Sequence, residues 1–166
     1  MKDKEAAIDT SVLAVYSGIG RIDLILAAYP EVHVVPAVYD EIVTKGEGWL
    51  EASTAQSAIF EERFRIVKTI QCPVDPRLVS LGSGEREVVA WALNRRITAL
   101  IDDTQARKLA KQAGVSEIVG SLGILGRVKF LGMIDKAAPI LVQMRANGIR
   151  FGDDLVKRFL MEIDES

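Results

Sequence analysis

Apolar positions along this chain recur in two rhythms, and their alternation predicts the order of the elements. Ala6-Ala7-Ile8 is a short apolar run ending in Asp9, as expected of a buried strand entering a turn. Ser11 to Tyr16 and Arg21 to Tyr29 have helical spacing and are parted by Gly18 and Gly20. Val32 to Val35 is rich in β-branched residues and stops at Pro36, which favours a strand followed by a helix start. That helix is expected to run to about Thr44 and to end at Gly46 and Gly48. Residues 49–63 are polar but helix-compatible, and Phe64 to Ile70 alternates like an edge or half-exposed strand. Ser83 is expected to cap an amphipathic helix reaching about Arg96. Ile97 to Ile101 reads as a strand stopped by Asp102-Asp103, followed by a helix to Gly114 and a short strand at Glu117 to Val119. Helical stretches near 121–131, 136–147 and 153–163 complete the chain.

Strands that alternate with helices of about ten residues indicate βαβ units and a parallel sheet covered on both faces. The predicted fold class is therefore α/β, with three α/β/α layers, and the expected organisation is one domain over residues 1–166. The one candidate boundary lies near Gly132, after which the pattern is purely helical. No repeat or low-complexity segment interrupts this order.

Composition narrows the chemistry. Apolar residues make up 49% of the 166, enough for a buried core, and the formal charge is -2. A nucleic-acid partner would have to meet a local basic patch rather than a general positive field. One cysteine, Cys72, and one histidine, His33, leave no set for a structural zinc site, so any metal is expected to be a hard cation held by carboxylates. The N-terminus carries no h-region of a signal peptide, and no apolar run approaches the roughly 20 residues of a spanning helix. The expectation is a soluble, cytoplasmic protein.

The acids are placed for chemistry. In open parallel sheets, sites form beyond the carboxyl ends of the strands. Asp9 ends the first strand, and Asp102 and Asp103 end a later one. Glu85 shares a helix face with Val88, Val89 and Ala92, while Glu87 is expected to face solvent. Glu41 borders the stripe of Val38 and Ile42, with Asp40 facing away. A carboxylate on a core-facing stripe is costly unless neutralised, and no basic residue lies at matching spacing, so a shared metal is a candidate. Acids at helix N-termini also serve as caps, and Asp9, Asp103 and Glu85 all occupy such positions. On pattern alone both readings stand.

Four segments, IDTSVL, VVPAVYDEI, LGSGEREVVAWAL and ALIDDTQARKLAKQAG, occur in the order seen in PIN domains. The chain resembles the prokaryotic branch whose third acid is a glutamate in a GxGE turn; the VapC toxins of toxin–antitoxin pairs belong to the same superfamily. The resemblance spans about residues 6–120, a PIN-like core, and leaves 121–166 as a C-terminal helical extension. It implies a Mg²⁺- or Mn²⁺-dependent endoribonuclease, a hydrolase of RNA phosphodiester bonds. By resemblance, Asp9 matches the first acid, Glu41 the second, Glu85 the third and Asp103 the last. Asp102 stands where the family often has Asn, and the doublet leaves open which of the two is the ligand. Ser11 matches a small polar residue supporting the first acid. The class further implies an RNA substrate, a small antitoxin partner and a homodimer, and no membrane. The alternative is a PIN-fold module that binds nucleic acid or protein without catalysis.

Other features have plainer readings. His33 between valines is expected to be structural, Cys72 an incidental buried thiol, and Trp91 part of the core, while Trp49 could stack on a base. The GSLGILG glycines lack the preceding long strand of a dinucleotide site. A receiver-like phosphoacceptor domain is disfavoured because no lysine ends a strand. Arg107, Lys108, Lys111, Arg145, Arg150, Lys157 and Arg158 are candidate phosphate contacts.

Overall fold

The computed structural model describes residues 4–45, 63–71 and 75–165. Cys72, Trp49 and the helix-compatible stretch through residue 62 lie outside the described residues. Five parallel strands, β1 (Glu5–Ile8), β2 (Glu31–Val34), β3 (Arg65–Ile66), β4 (Thr98–Leu100) and β5 (Ile118–Val119), form one sheet in the order β3-β2-β1-β4-β5. Eight α-helices among the described residues flank it: α1 (Thr10–Gly18), α2 (Ile22–Ala28), α3 (Pro36–Tyr39), α4 (Ser83–Arg95), α5 (Thr104–Ala113), α6 (Ser121–Phe130), α7 (Ala138–Ala146) and α8 (Asp153–Glu162). This is the expected three-layer α/β/α arrangement.

Burial follows from the sequence. β1 is central, and Ala6, Ala7 and Ile8 are fully buried because helices cover both faces of the strand. Small side chains there let β2 and β4 pair on either side, with Ala7 opposite both His33 and Ala99. Helix α4 packs on α3 and β1, while α6 packs on α1 and α2 and α7 on α1. Phe159 of α8 joins the same buried cluster as Ile8 and Leu100, which ties the last helix to the core. β3 pairs only through residues 65–66 and is exposed, as an edge strand carrying Arg65 should be.

Two local expectations are corrected. The helix from Pro36 is α-helical only to Tyr39 and continues as a π-helical turn over Asp40–Lys45. The wider turn inserts an extra residue, a form that recurs at functional sites. Helix α4 begins at Ser83, and its N-cap is Gly82. Glycine offers no side-chain acceptor, so the terminus is tied instead by Glu85, whose Oε2 accepts the Gly82 N–H at 3.2 Å.

Strand order places a topological switch between β1 and β4, since the chain leaves them toward opposite edges of the sheet. Asp9 directly follows β1, and the Asp102-Asp103 doublet lies just past β4.

Candidate active site

Beyond the carboxyl end of β1 lies an open cleft of about 460 Å³, lined by Asp9, Thr10, Ser11, Ala14, Glu41, Gly82, Gly84 and Glu85. Three elements supply its carboxylates: the β1–α1 turn, the π-turn after α3, and the first turn of α4. No lysine or arginine is among these lining residues.

Each acid is held by a neutral donor. Ser11 Oγ donates to Asp9 Oδ2 at 2.8 Å, and Thr10 Oγ1 donates to Glu41 Oε2 at 2.5 Å. The π-turn makes the second contact possible, keeping Ile42 in the core while Glu41 turns toward α1 and Asp40 pairs with Lys45 at 3.5 Å. Gly84 leaves space where the carboxylates converge. A methyl there would lie 3.0 Å from Glu41 Oε1 and 3.6 Å from Asp9 Oδ1.

Electrostatics agree with the geometry. Asp9 is only 4% exposed. Burial raises its pKa above the ordinary carboxylate value, with the Glu41 charge adding to the rise and the Ser11 hydrogen bond opposing it. Burial likewise raises Glu85, helped by the charges of Asp9, Asp103 and Glu41. The four acids therefore share one field.

The doublet is divided. Asp103 sits at the exposed start of α5, where its Oδ1 accepts the Ala106 N–H at 2.8 Å, and its charge reaches Glu85. Asp102 turns the other way and engages Ser121, accepting from its N–H at 2.7 Å and from its hydroxyl at 2.5 Å. The capping reading thus describes Asp103, and Glu85 holds its own helix start, yet both contribute to the acidic field.

Sequence reasoning missed three participants. Thr10, between Asp9 and Ser11, is the partner of Glu41, and nothing in its local sequence marks it as such. Gly84 belongs to the GxGE motif, but its role as a gap between two carboxylates needs the fold. Glu87 does not face solvent: its Oε2 accepts the Ala37 N–H at 2.7 Å. Val35 at the N-cap has no side-chain acceptor and Pro36 has no N–H, so the first turn of α3 takes its acceptor from α4. Those uncapped donors were the available signal.

The donor set suits a hard divalent cation. All candidate ligands are oxygens, two have raised pKa values, and Gly84 leaves room between Asp9 and Glu41.

A second cluster lies at the opposite end of the strands. Ligand atoms of Glu5, Glu31 and His33 fall within 4.8 Å of one another, a spacing that could hold a metal. Its hydrogen bonding argues otherwise. Trp91 Nε1–H donates to His33 Nδ1 at 3.0 Å, which leaves the neutral ring's proton on Nε2. That nitrogen lies 3.4 Å from both Glu5 and Glu31 but hydrogen-bonds to neither, and the proton it carries leaves it no lone pair for a metal. The glutamates are already paired, Glu31 with Arg65 at 2.8 Å and Glu5 with Arg95 at 3.5 Å. Burial lowers the histidine's pKa despite the two carboxylates.

The model of the PIN-domain family DUF3368 matches residues 5–165, so the chain belongs to the PIN-domain superfamily. The match includes helices α6 to α8 as well as the sheet. PIN domains are generally nucleases, hydrolases that typically use divalent metals. No curated protein matches the chain. Among the described residues, no helix is long and apolar enough to cross a membrane.

Proposed function

We propose that the chain is a divalent-metal-dependent endoribonuclease and the toxin of a toxin–antitoxin pair. The observation that carries this reading is the set of buried and half-buried carboxylates at the β1/β4 switch point, with no basic residue lining their cleft among the described residues. Asp9, Glu41, Glu85 and Asp103 would hold Mg²⁺ or Mn²⁺. Asp102 is better placed as the partner of Ser121 than as a ligand.

A bound cation there supplies positive charge to the phosphate and raises the acidity of water. The chain's residues supply position and proton transfer. Ser11 orients Asp9, Thr10 orients Glu41, and the Gly82 N–H fixes Glu85. The sole histidine is at the far end of the sheet, so a cleft carboxylate is the group that accepts the proton from attacking water. A homodimer and a small antitoxin that covers the cleft complete the proposal.

The test is cleavage of structured and single-stranded RNAs with Mn²⁺, Mg²⁺ or EDTA, beside Asp9→Asn. Metal-dependent cleavage that disappears in the variant supports the reading. A folded, antitoxin-free protein that cuts nothing under either metal would leave a binding module in its place.

A further inference from the structure

An acidic cleft repels the polyanion it is meant to cut, so RNA must be gripped by cations beside it. Of the seven basic residues singled out in the sequence, Arg107, Arg150 and Arg158 come together around one cleft of about 610 Å³ between the end of β5 and helix α8. Arg107 is fixed by donating from Nη1 to the Ile101 carbonyl at 2.9 Å. Gly120 makes this approach possible, since a methyl there would lie 2.9 Å from Arg107 Nη1 and 2.7 Å from Asp102 Oδ1.

Arg150 and Arg158 are exposed, and neither has an ion-pair partner among the described residues; the one hydrogen bond of Arg158 is a 3.4 Å contact to the Asp154 carbonyl. By contrast, Arg145 is paired with Asp153 at 3.5 Å. The cleft also contains Asp102 and Glu162, but Asp102 directs both oxygens at Ser121. Apolar surface stands beside the arginines. Phe151 is half-buried and Leu155 is 46% exposed.

Chain continuity joins this cleft to the acids. Asp102 and Thr104 line it, while Asp103 between them lies in the field of Glu85. One turn after β4 is thus a shared wall between the acidic and the basic cleft.

We propose that the basic cleft seats a nucleotide of single-stranded RNA next to the scissile bond, with Arg150 and Arg158 on its phosphates and Phe151 beneath its base. This rests on the ribonuclease reading for the word scissile, but binding can be measured without cleavage. The experiment is fluorescence anisotropy of a short labelled single-stranded RNA in EDTA over a range of salt. Wild type is compared with R150A/R158A, with F151A, and with K4A/K136A, which removes the same charge from exposed positions outside the cleft.

The expected result for R150A/R158A is a Kd weakened about tenfold or more and a log–log salt slope shallower by roughly 1.4, about 0.7 for each lost phosphate contact. F151A weakens binding about fivefold or more without changing the slope. K4A/K136A stays within about twofold of wild type. RNA affinity equal in wild type and R150A/R158A overturns the inference, and is the outcome expected if an acidic protein segment occupies the cleft. A wild type that shows this pattern in EDTA yet cuts nothing with Mn²⁺ keeps the basic cleft and sinks the nuclease reading. A wild type that binds no RNA in EDTA overturns the inference, while cleavage with Mn²⁺ decides the nuclease reading separately.

Discussion

Strands β1 and β2 carry acids near both ends of the sheet, and the two ends treat them in opposite ways. At the amino end, Glu5 and Glu31 stand directly opposite each other in register, an arrangement that by itself is destabilising. Arg95 and Arg65 offset it. At the carboxyl end, Asp9, Glu41 and Glu85 have hydroxyls and a backbone N–H as partners, and no cation among the described residues. Compensation separates the two clusters better than proximity does. Among the described residues, the closely spaced group of potential ligands is the one already paired with arginines, and the looser group is the one left in need of positive charge.

The largest expected effect comes from removing a charge at the uncompensated end. Asp9→Asn should lower metal-dependent cleavage on the order of 100-fold or more. The same change should stabilise the metal-free protein by about 1 kcal/mol near neutral pH, because a buried, repelled carboxylate is gone. Thermal melts in EDTA and in Mn²⁺ check both parts: wild type should gain stability from Mn²⁺ and the variant should not. A variant less stable than wild type in EDTA would show that Asp9 is compensated after all.

Next is the support beneath Glu41. Glu87→Ala removes the acceptor of Ala37 N–H and should cost about 1–2 kcal/mol in denaturant unfolding. Gly84→Ala should instead leave stability nearly unchanged, since alanine favours helix by up to about 1 kcal/mol while its methyl presses on buried Val38 Cγ2 at 3.3 Å. Its methyl crowds Glu41 Oε1, and Mn²⁺ affinity should drop about tenfold, read by calorimetric titration.

The compensated end yields a pH effect. The folded His33 titrates below its ordinary value of 6.5 because it is buried. The unfolded chain therefore takes up the proton first, so stability is intact above about pH 6.5 and falls as pH drops through that value. His33 is the only histidine, which makes its NMR titration unambiguous. Trp91→Phe removes the N–H that occupies Nδ1 and should move that titration upward. A titration unmoved in the variant would mean that the Trp91 N–H has no part in setting it.

Glu5→Gln should have the smallest effect. The Glu5–Arg95 pair is half exposed, so its loss costs under about 1 kcal/mol, and Mn²⁺ affinity should not change. A measurable fall in affinity would restore the amino-end cluster as a metal site.

Most of the element order was legible because it depends on local periodicity. The run Ala6–Ile8 closing on Asp9 and the helix closing at Gly114, where φ is 103°, need only neighbouring residues to be recognised. The π-turn at Asp40–Lys45 was not legible. An α-helical reading fits the same apolar spacing until Thr10 is brought within reach of Glu41. The angle of Glu87 on α4 alone points it to solvent, but α3 lies against that face.

By itself, the sequence determined which acids end strands and which begin helices, since these follow from chain position and the repeat of apolar residues. Tertiary structure decided what each acid does. Asp102 and Asp103 are adjacent and chemically identical, yet one meets Ser121 and the other adds its charge at Glu85. Glu5 and Asp9 begin and follow the same strand, yet one meets arginine and the other does not. A carboxylate's charge is set by whatever comes within a few ångströms of it, and here those neighbours are brought from distant parts of the chain.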